Sequence, residues 1–138
     1  MAGRAALSVK NATKNFGGLI AVNQMSFDIE EHEVLGLIGP NGSGKTTMLN
    51  VISGLLRTSS GRIELYGRNI AGRSANRIAR LGISRTFQLV RVLPTMTVAE
   101  NVAAGGVFGY RRYWGEDLDR RVRYMLSQVG LTDKAPIP

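Results

Sequence analysis

Eight consecutive residues, Gly39-Pro40-Asn41-Gly42-Ser43-Gly44-Lys45-Thr46, follow the pattern G-x-x-x-x-G-K-[ST], and each fixed position has a physical reason. Glycines permit positive φ, so successive backbone N–H groups can curl toward one point as an anion nest. A helix starting near Lys45 would aim its free amides and the positive end of its dipole at the same point. Lys45 adds a charge able to reach β and γ phosphates, and the Thr46 hydroxyl is a hard oxygen ligand suited to Mg²⁺. The dinucleotide-binding alternative fails, because Gly42-x-Gly44 is followed by Thr47 where that fingerprint requires glycine. The ligand this pattern calls for is a nucleoside triphosphate with Mg²⁺. A plain glycine-rich turn would not need the strand and helix that flank it here.

Those flanking elements are legible. Val34-Leu35-Gly36-Leu37-Ile38 is a continuous apolar run of strand length, the pattern of a central parallel strand covered on both faces. After the loop, Met48, Leu49, Val51, Ile52, Leu55 and Leu56 recur at helical offsets up to a stop near Gly54. Upstream, Leu7 and Val9, then Met25, Phe27 and Ile29, alternate with polar neighbours, predicting two half-buried antiparallel strands joined through Phe16-Gly17-Gly18. Downstream, Gly61 to Gly67 predicts a short strand forming a hairpin with Asn69-Ile70. Ala75, Ile78, Ala79 and Leu81 predict a short helix stopped by Gly82, followed by a strand over Ile83 to Phe87. Thr97-Val98-Ala99-Glu100 is a capping box that should start a helix. Glu116 to Val129 places Leu118, Val122, Met125, Leu126 and Val129 on one helical face ending at Gly130.

Composition narrows the class. A chain of 138 residues with 43% hydrophobic and 20% charged residues is globular rather than disordered. Zero cysteines remove disulfide frameworks and thiolate metal sites and agree with a reducing compartment. The best uncharged apolar runs, Val34 to Gly44 and Thr46 to Leu56, are eleven residues each, short of the ~18 needed for a membrane span. The first residues lack the apolar core of a secretory signal, so a cytosolic protein is the expectation. The net charge of +8 is regional: residues 57 to 91 hold eight arginines against the single Glu64. Such a surface suits nucleic acid, anionic headgroups, nucleotide phosphates or an acidic partner, or it is simply a solvated face.

The loop, read with its continuation through Thr47, resembles the Walker A loop of the ATP-binding subunits of ABC transporters. Phe16, in Thr13-Lys14-Asn15-Phe16-Gly17, stands where that family places an aromatic residue that stacks on adenine. Arg85-Thr86-Phe87-Gln88 resembles the family's Q-loop, and by that resemblance Gln88 would approach Mg²⁺ and the attacking water and sense the membrane partner. The wording of Gly82 to Gln88 and of Met96 to Val102 is most similar to the branched-chain amino acid importers. The resemblance implies an α/β P-loop NTPase fold with an antiparallel β subdomain, incomplete at its C-terminal side. It places the P-loop core and β subdomain at about 1–96 and the start of a helical subdomain at 97–138. It further implies ATP and Mg²⁺ as ligands, permease subunits spanning the membrane, a second ATP-binding subunit and, indirectly, a solute-binding protein as partners. The site would lie on the cytoplasmic face of the membrane, and no specific nucleic acid is expected.

Residues 89 to 138 contain no Leu-Ser-Gly-Gly-Gln signature, no apolar strand ending in Asp-Glu and no later histidine. In the family these supply the contact to the partner's ATP, the Mg²⁺ and water carboxylates, and the γ-phosphate sensor. The expectation is therefore nucleotide binding without turnover by these residues alone, whether they are a fragment, a frameshifted product or a degenerate gene product. His32, the only histidine, lies seven residues before the loop and reads as a surface turn residue. A soluble ABC-type ATPase acting on nucleic acid or ribosomes, motivated by the arginines, and a non-catalytic fragment stand as the alternatives. Tyr110-Arg111-Arg112-Tyr113-Trp114 either packs under the following helix or, by the family resemblance, borders the permease contact.

Overall fold

Strands β1 (Ala5–Phe16) and β2 (Leu19–Glu30) form an antiparallel hairpin, because their alternating apolar residues can be buried on one face only in that register. The computed structural model describes residues 5–87 and 92–137. On its other edge β1 pairs with β3 (Ser60–Leu65), which turns back into the two-residue β4 (Arg68–Asn69), giving the sheet order β2-β1-β3-β4. Val9 and Ala12 are both buried although they stand an odd three positions apart. The reason is a register shift between them, where Asn11 has φ 49° and its N–H donates to the Ser26 hydroxyl at 2.8 Å. Helix α1 (Lys45–Ile52) packs Met48, Val51 and Ile52 into the core. With Ile63, Ile70 and Ile78, these side chains close the interior of the first of two compact units, Met1–Ile78. Helix α2 (Ala75–Ala79) contributes Ile78 and is followed by Gly82.

The second unit is Ala79–Pro138. Helix α3 (Val98–Phe108) begins at the expected capping box. Helix α4 (Gly115–Gln128) buries Val122 and Leu126. Met125 and Val129 of the same predicted face are exposed, so the apolar stripe is only partly covered. A 3₁₀ turn, Thr132–Lys134, follows. In the cluster before α4, Tyr110 and Trp114 are exposed and Tyr113 is half-buried.

Two expected strands are not formed. Residues 33–40 carry no regular secondary structure, and Val34 and Ile38 are 96% and 94% exposed rather than covered. Residues 83–87 are likewise irregular, with Phe87 exposed. An apolar run becomes a strand only when a neighbour accepts and donates its ladder hydrogen bonds. Among the described residues no strand pairs with either segment. His32 is an exposed turn residue at φ 64°, as expected.

Candidate functional site

The loop between residues 39 and 44 leads straight into α1, and its two inner glycines hold it there. Gly42 and Gly44 sit at φ 84° and 88°, a region costly for residues bearing a Cβ. At Gly44 the demand is also spatial, since a Cβ would lie 2.2 Å from the Ala21 carbonyl oxygen of β2. The loop is thus pressed backbone to backbone against the sheet, and α1 starts from a fixed place. Ser43 N–H donates to the Pro40 carbonyl at 3.3 Å, and Met48 N–H to the Gly44 carbonyl at 2.8 Å.

That geometry leaves donors over. Among the described residues, the backbone N–H groups of Lys45, Thr46 and Thr47 have no hydrogen-bond partner, and no side chain caps the helix. The first turn of α1 holds no acidic residue. An uncapped start alone is ordinary in water. Helix α4 also lacks a side-chain cap, but it carries Glu116 and Asp117 in its first turn to offset the dipole. The start of α1 is both uncapped and without such an acid, which favours an anion supplied from outside.

Lys45 arches over the loop: its Nζ donates to the Gly39 and Pro40 carbonyls at 2.6 Å each and lies 3.4 Å from the Ser43 hydroxyl. This holds a positive charge against the loop's own carbonyls, where a phosphate oxygen can take over one of these bonds. The Thr46 side chain is exposed, and among the described residues its hydroxyl has no partner. No group of three or more acidic, histidine or cysteine side chains that could hold a metal occurs among the described residues. A cation here would take one hydroxyl and complete its shell with phosphate and water oxygens, which is how Mg²⁺ is commonly held beside a nucleotide. Asn41 and Thr47 complete the loop, Asn41 exposed and Thr47 half-buried.

Phe16 closes β1 and is paired across the hairpin with Leu19. Its ring is 43% exposed, enough for a flat ligand to stack on it. The strand positions opposite its neighbours Lys14 and Asn15 are Val22 and Ile20, flanking the Ala21 carbonyl against which the loop packs, so hairpin end and loop share one support. Gln88 lies outside the described residues. Two contributors were not singled out from sequence. Lys14 Nζ stands 4.8 Å from the Phe16 ring centroid, and its i, i+2 spacing on a strand was the signal for a shared face. Ala21 acts through its carbonyl, which no side-chain pattern reveals.

Known proteins share this sequence and fold. The sequence model of the ABC transporter family matches residues 22–137. The high-affinity branched-chain amino acid transport ATP-binding protein LivG of Salmonella typhimurium is 39% identical over 143 residues, covering 94% of this chain and 56% of LivG. Its counterpart BraF of Pseudomonas aeruginosa is 46% identical over 99 residues, 72% of this chain and 39% of BraF. A solved nucleotide-free ATP-binding cassette from an ABC transporter superposes with a TM-score of 0.82 at 29% identity, over 96% of this chain and 57% of that one. The chain spans about half the length of the curated relatives it matches. Sequence identity, fold and the span of the family match agree, and the chain belongs to the ABC transporter family.

Proposed function

We propose that this chain is the ATP-binding, energy-coupling component of a membrane importer whose transported solutes are branched-chain amino acids. The observation that carries the reading is the start of α1: three amides without partners among the described residues follow a glycine loop that is braced against β2 and spanned by the Lys45 ammonium. The identities to LivG and BraF support the solute class.

In this reading the loop from Gly39 to Thr47 cradles the phosphates and Lys45 neutralises charge on the β and γ groups. The Thr46 hydroxyl holds Mg²⁺, which when bound spreads the remaining negative charge. Phe16 stacks on the adenine, and Gln88 approaches the metal and the water. Residues to about 96 serve as nucleotide core and β subdomain, and 97–138 begin the helical subdomain. Permease subunits, a second ATP-binding subunit and, through the permease, a solute-binding protein are the partners. No helix among the described residues is long and apolar enough to cross a membrane, so attachment to the cytoplasmic face runs through the permease. Phosphoryl transfer to water needs positioning and charge neutralisation, and no acidic strand or signature loop lies within these 138 residues. By themselves they bind nucleotide without turning it over.

The test is the affinity of Lys45→Ala for a fluorescent ATP analogue, expected to fall roughly 10- to 100-fold for the loss of charge-assisted hydrogen bonds. Unchanged affinity rejects this loop as the site. Copurification with coexpressed permease subunits tests the importer half of the reading. Tight, sequence-selective nucleic-acid binding at physiological salt would instead favour an enzyme acting on nucleic acid.

A further inference from the structure

In the second unit, α3 and α4 enclose a cleft of about 370 Å³, near the small end of the roughly 300–1,000 Å³ typical of small-molecule pockets. Its apolar lining includes Val102, Leu118, Val122 and Met125. The space exists because α3 presents bare backbone there. At Gly106 a Cβ would lie 2.6 Å from Leu118 Cδ1, so a glycine sets how closely the helices approach, whereas at Gly105 a Cβ would meet nothing within 4 Å.

Arg111 and Arg121 are the charged residues that line the cleft and Tyr110 and Tyr113 the polar aromatic ones, and no carboxylate residue lines it. The Gly105 and Gly106 carbonyls accept from Gly109 N–H at 3.0 Å and Tyr113 N–H at 3.2 Å. Among the described residues neither Arg111 nor Arg121 is in an ion pair, since Asp117 on α4 pairs with Arg120. Arg121 instead lies 5.3 Å from the Tyr124 ring centroid. The cleft therefore offers an apolar surface beside two cationic residues, and no carboxylate to pair with an ammonium group.

We propose that this cleft binds a small monocarboxylate with a compact apolar body, its carboxylate held by Arg111 and Arg121 and its hydrocarbon seated against Val102, Leu118, Val122 and Met125. The site belongs to a different unit from the phosphate loop and is independent of the nucleotide reading. An apolar pocket with a few polar groups fixing one end is the usual construction of a small-ligand site. Charge-assisted guanidinium bonds would supply the preference for the acid over its neutral analogue.

The experiment titrates the full chain, with ¹³C-labelled tyrosine, against 4-methylpentanoate, 4-methylpentanamide, leucine and acetate. Tyr110 and Tyr113 report on the cleft, and Tyr66 in the first unit is the internal control. Saturable shifts of Tyr110 and Tyr113 with 4-methylpentanoate, at least about tenfold tighter than with the amide, leucine or acetate, are expected. Arg111→Met combined with Arg121→Met should weaken the acid by a similar factor. Gly105→Leu, which places a side chain in open space on a helix, should also weaken binding while the melting temperature holds or rises. Equal affinity for acid and amide, or for acid and leucine, overturns the proposal. Shifts matched by acetate mean an adventitious anion only, and shifts of Tyr66 alone, or none, also reject the site.

Discussion

The starts of α1 and α3 satisfy the same requirement in opposite ways. At α3 every early amide is engaged by the chain itself. Val98 N–H donates to the Ile137 carbonyl at 2.8 Å and Ala99 N–H to the Ala135 carbonyl at 3.0 Å. Glu100 N–H donates to the Thr97 hydroxyl at 3.2 Å, and Thr97 N–H reaches back to the Glu100 carboxylate at 2.8 Å. Asn101 reinforces the corner by donating to the Leu93, Met96 and Thr97 carbonyls and accepting from Leu93 N–H. At α1 the corresponding amides of Lys45, Thr46 and Thr47 have no partner among the described residues. Since unpaired helix-start donors must go to side chains, water or a ligand, a helix start closed by its own chain is structural. One held open by glycines beside a lysine leaves its donors to water or a ligand.

The sharpest way to break this contrast is at Gly44. Gly44→Ala combines a strained φ with a collision against the Ala21 carbonyl and should cost roughly 2–5 kcal/mol in urea unfolding, together with the loss of ATP-analogue binding. Gly42→Ala is the control, because a Cβ there meets nothing within 4 Å and only the φ penalty of about 1 kcal/mol applies. If the two variants were equally destabilised, the close approach of loop and sheet would not be what fixes the start of α1.

A smaller effect is expected at the closed helix start. Thr97→Ala removes the cap hydroxyl and should destabilise by about 1 kcal/mol, with ATP-analogue affinity unchanged. A fall in affinity of more than about threefold, roughly 0.6 kcal/mol, would show that α3 does not have a purely structural start.

Adding the missing acid to α1 sharpens the comparison further. Thr47→Asp should stabilise the ligand-free protein by about 0.3–1 kcal/mol through the helix dipole, while weakening the ATP analogue because it competes with phosphate for the same amides. Gain of both stability and affinity would contradict the assignment of those amides to an anion.

The smallest effect concerns pH. The backbone N–H and hydroxyl of Thr97 hold the Glu100 carboxyl below its ordinary value of 4.5, and Lys10, donating at 2.9 Å, does the same for Glu64. A carboxylate with a lowered folded-state pKa contributes stability that is complete above the unfolded value and fades as pH falls through the folded one. Both contributions should therefore persist at neutral pH and decline only below about 4.5. Carboxyl ¹³C titration would check this, with midpoints for both groups expected below the ordinary carboxyl value; a midpoint for Glu100 at or above the ordinary value would mean the capping box is open in solution.

How much of this was legible follows the distance over which each element finds its partner. The β1–β2 hairpin, the β3–β4 hairpin, the Thr97 capping box and α4 were all readable, because their partners lie within a few residues or across one turn. Val34 to Ile38 has an equally plain apolar pattern and forms no strand, because pattern supplies a surface while a ladder must come from elsewhere in space. The bulge at Asn11 was also invisible, since it is set by Ser26 and the Gly61 approach across strands.

For the candidate site, the residue order alone displayed the glycine-lysine loop and the roles proposed for Lys45 and Thr46, because the loop and the helix start are contiguous in the chain. Tertiary structure decided that Gly44 must press on the Ala21 carbonyl and that Lys45 spans the Gly39 and Pro40 carbonyls. It also brought α3 and α4 together around a cleft lined by two arginines and no acid. These are relations between backbone atoms and side chains far apart in sequence, and a residue's type does not say which neighbour folding will set against it.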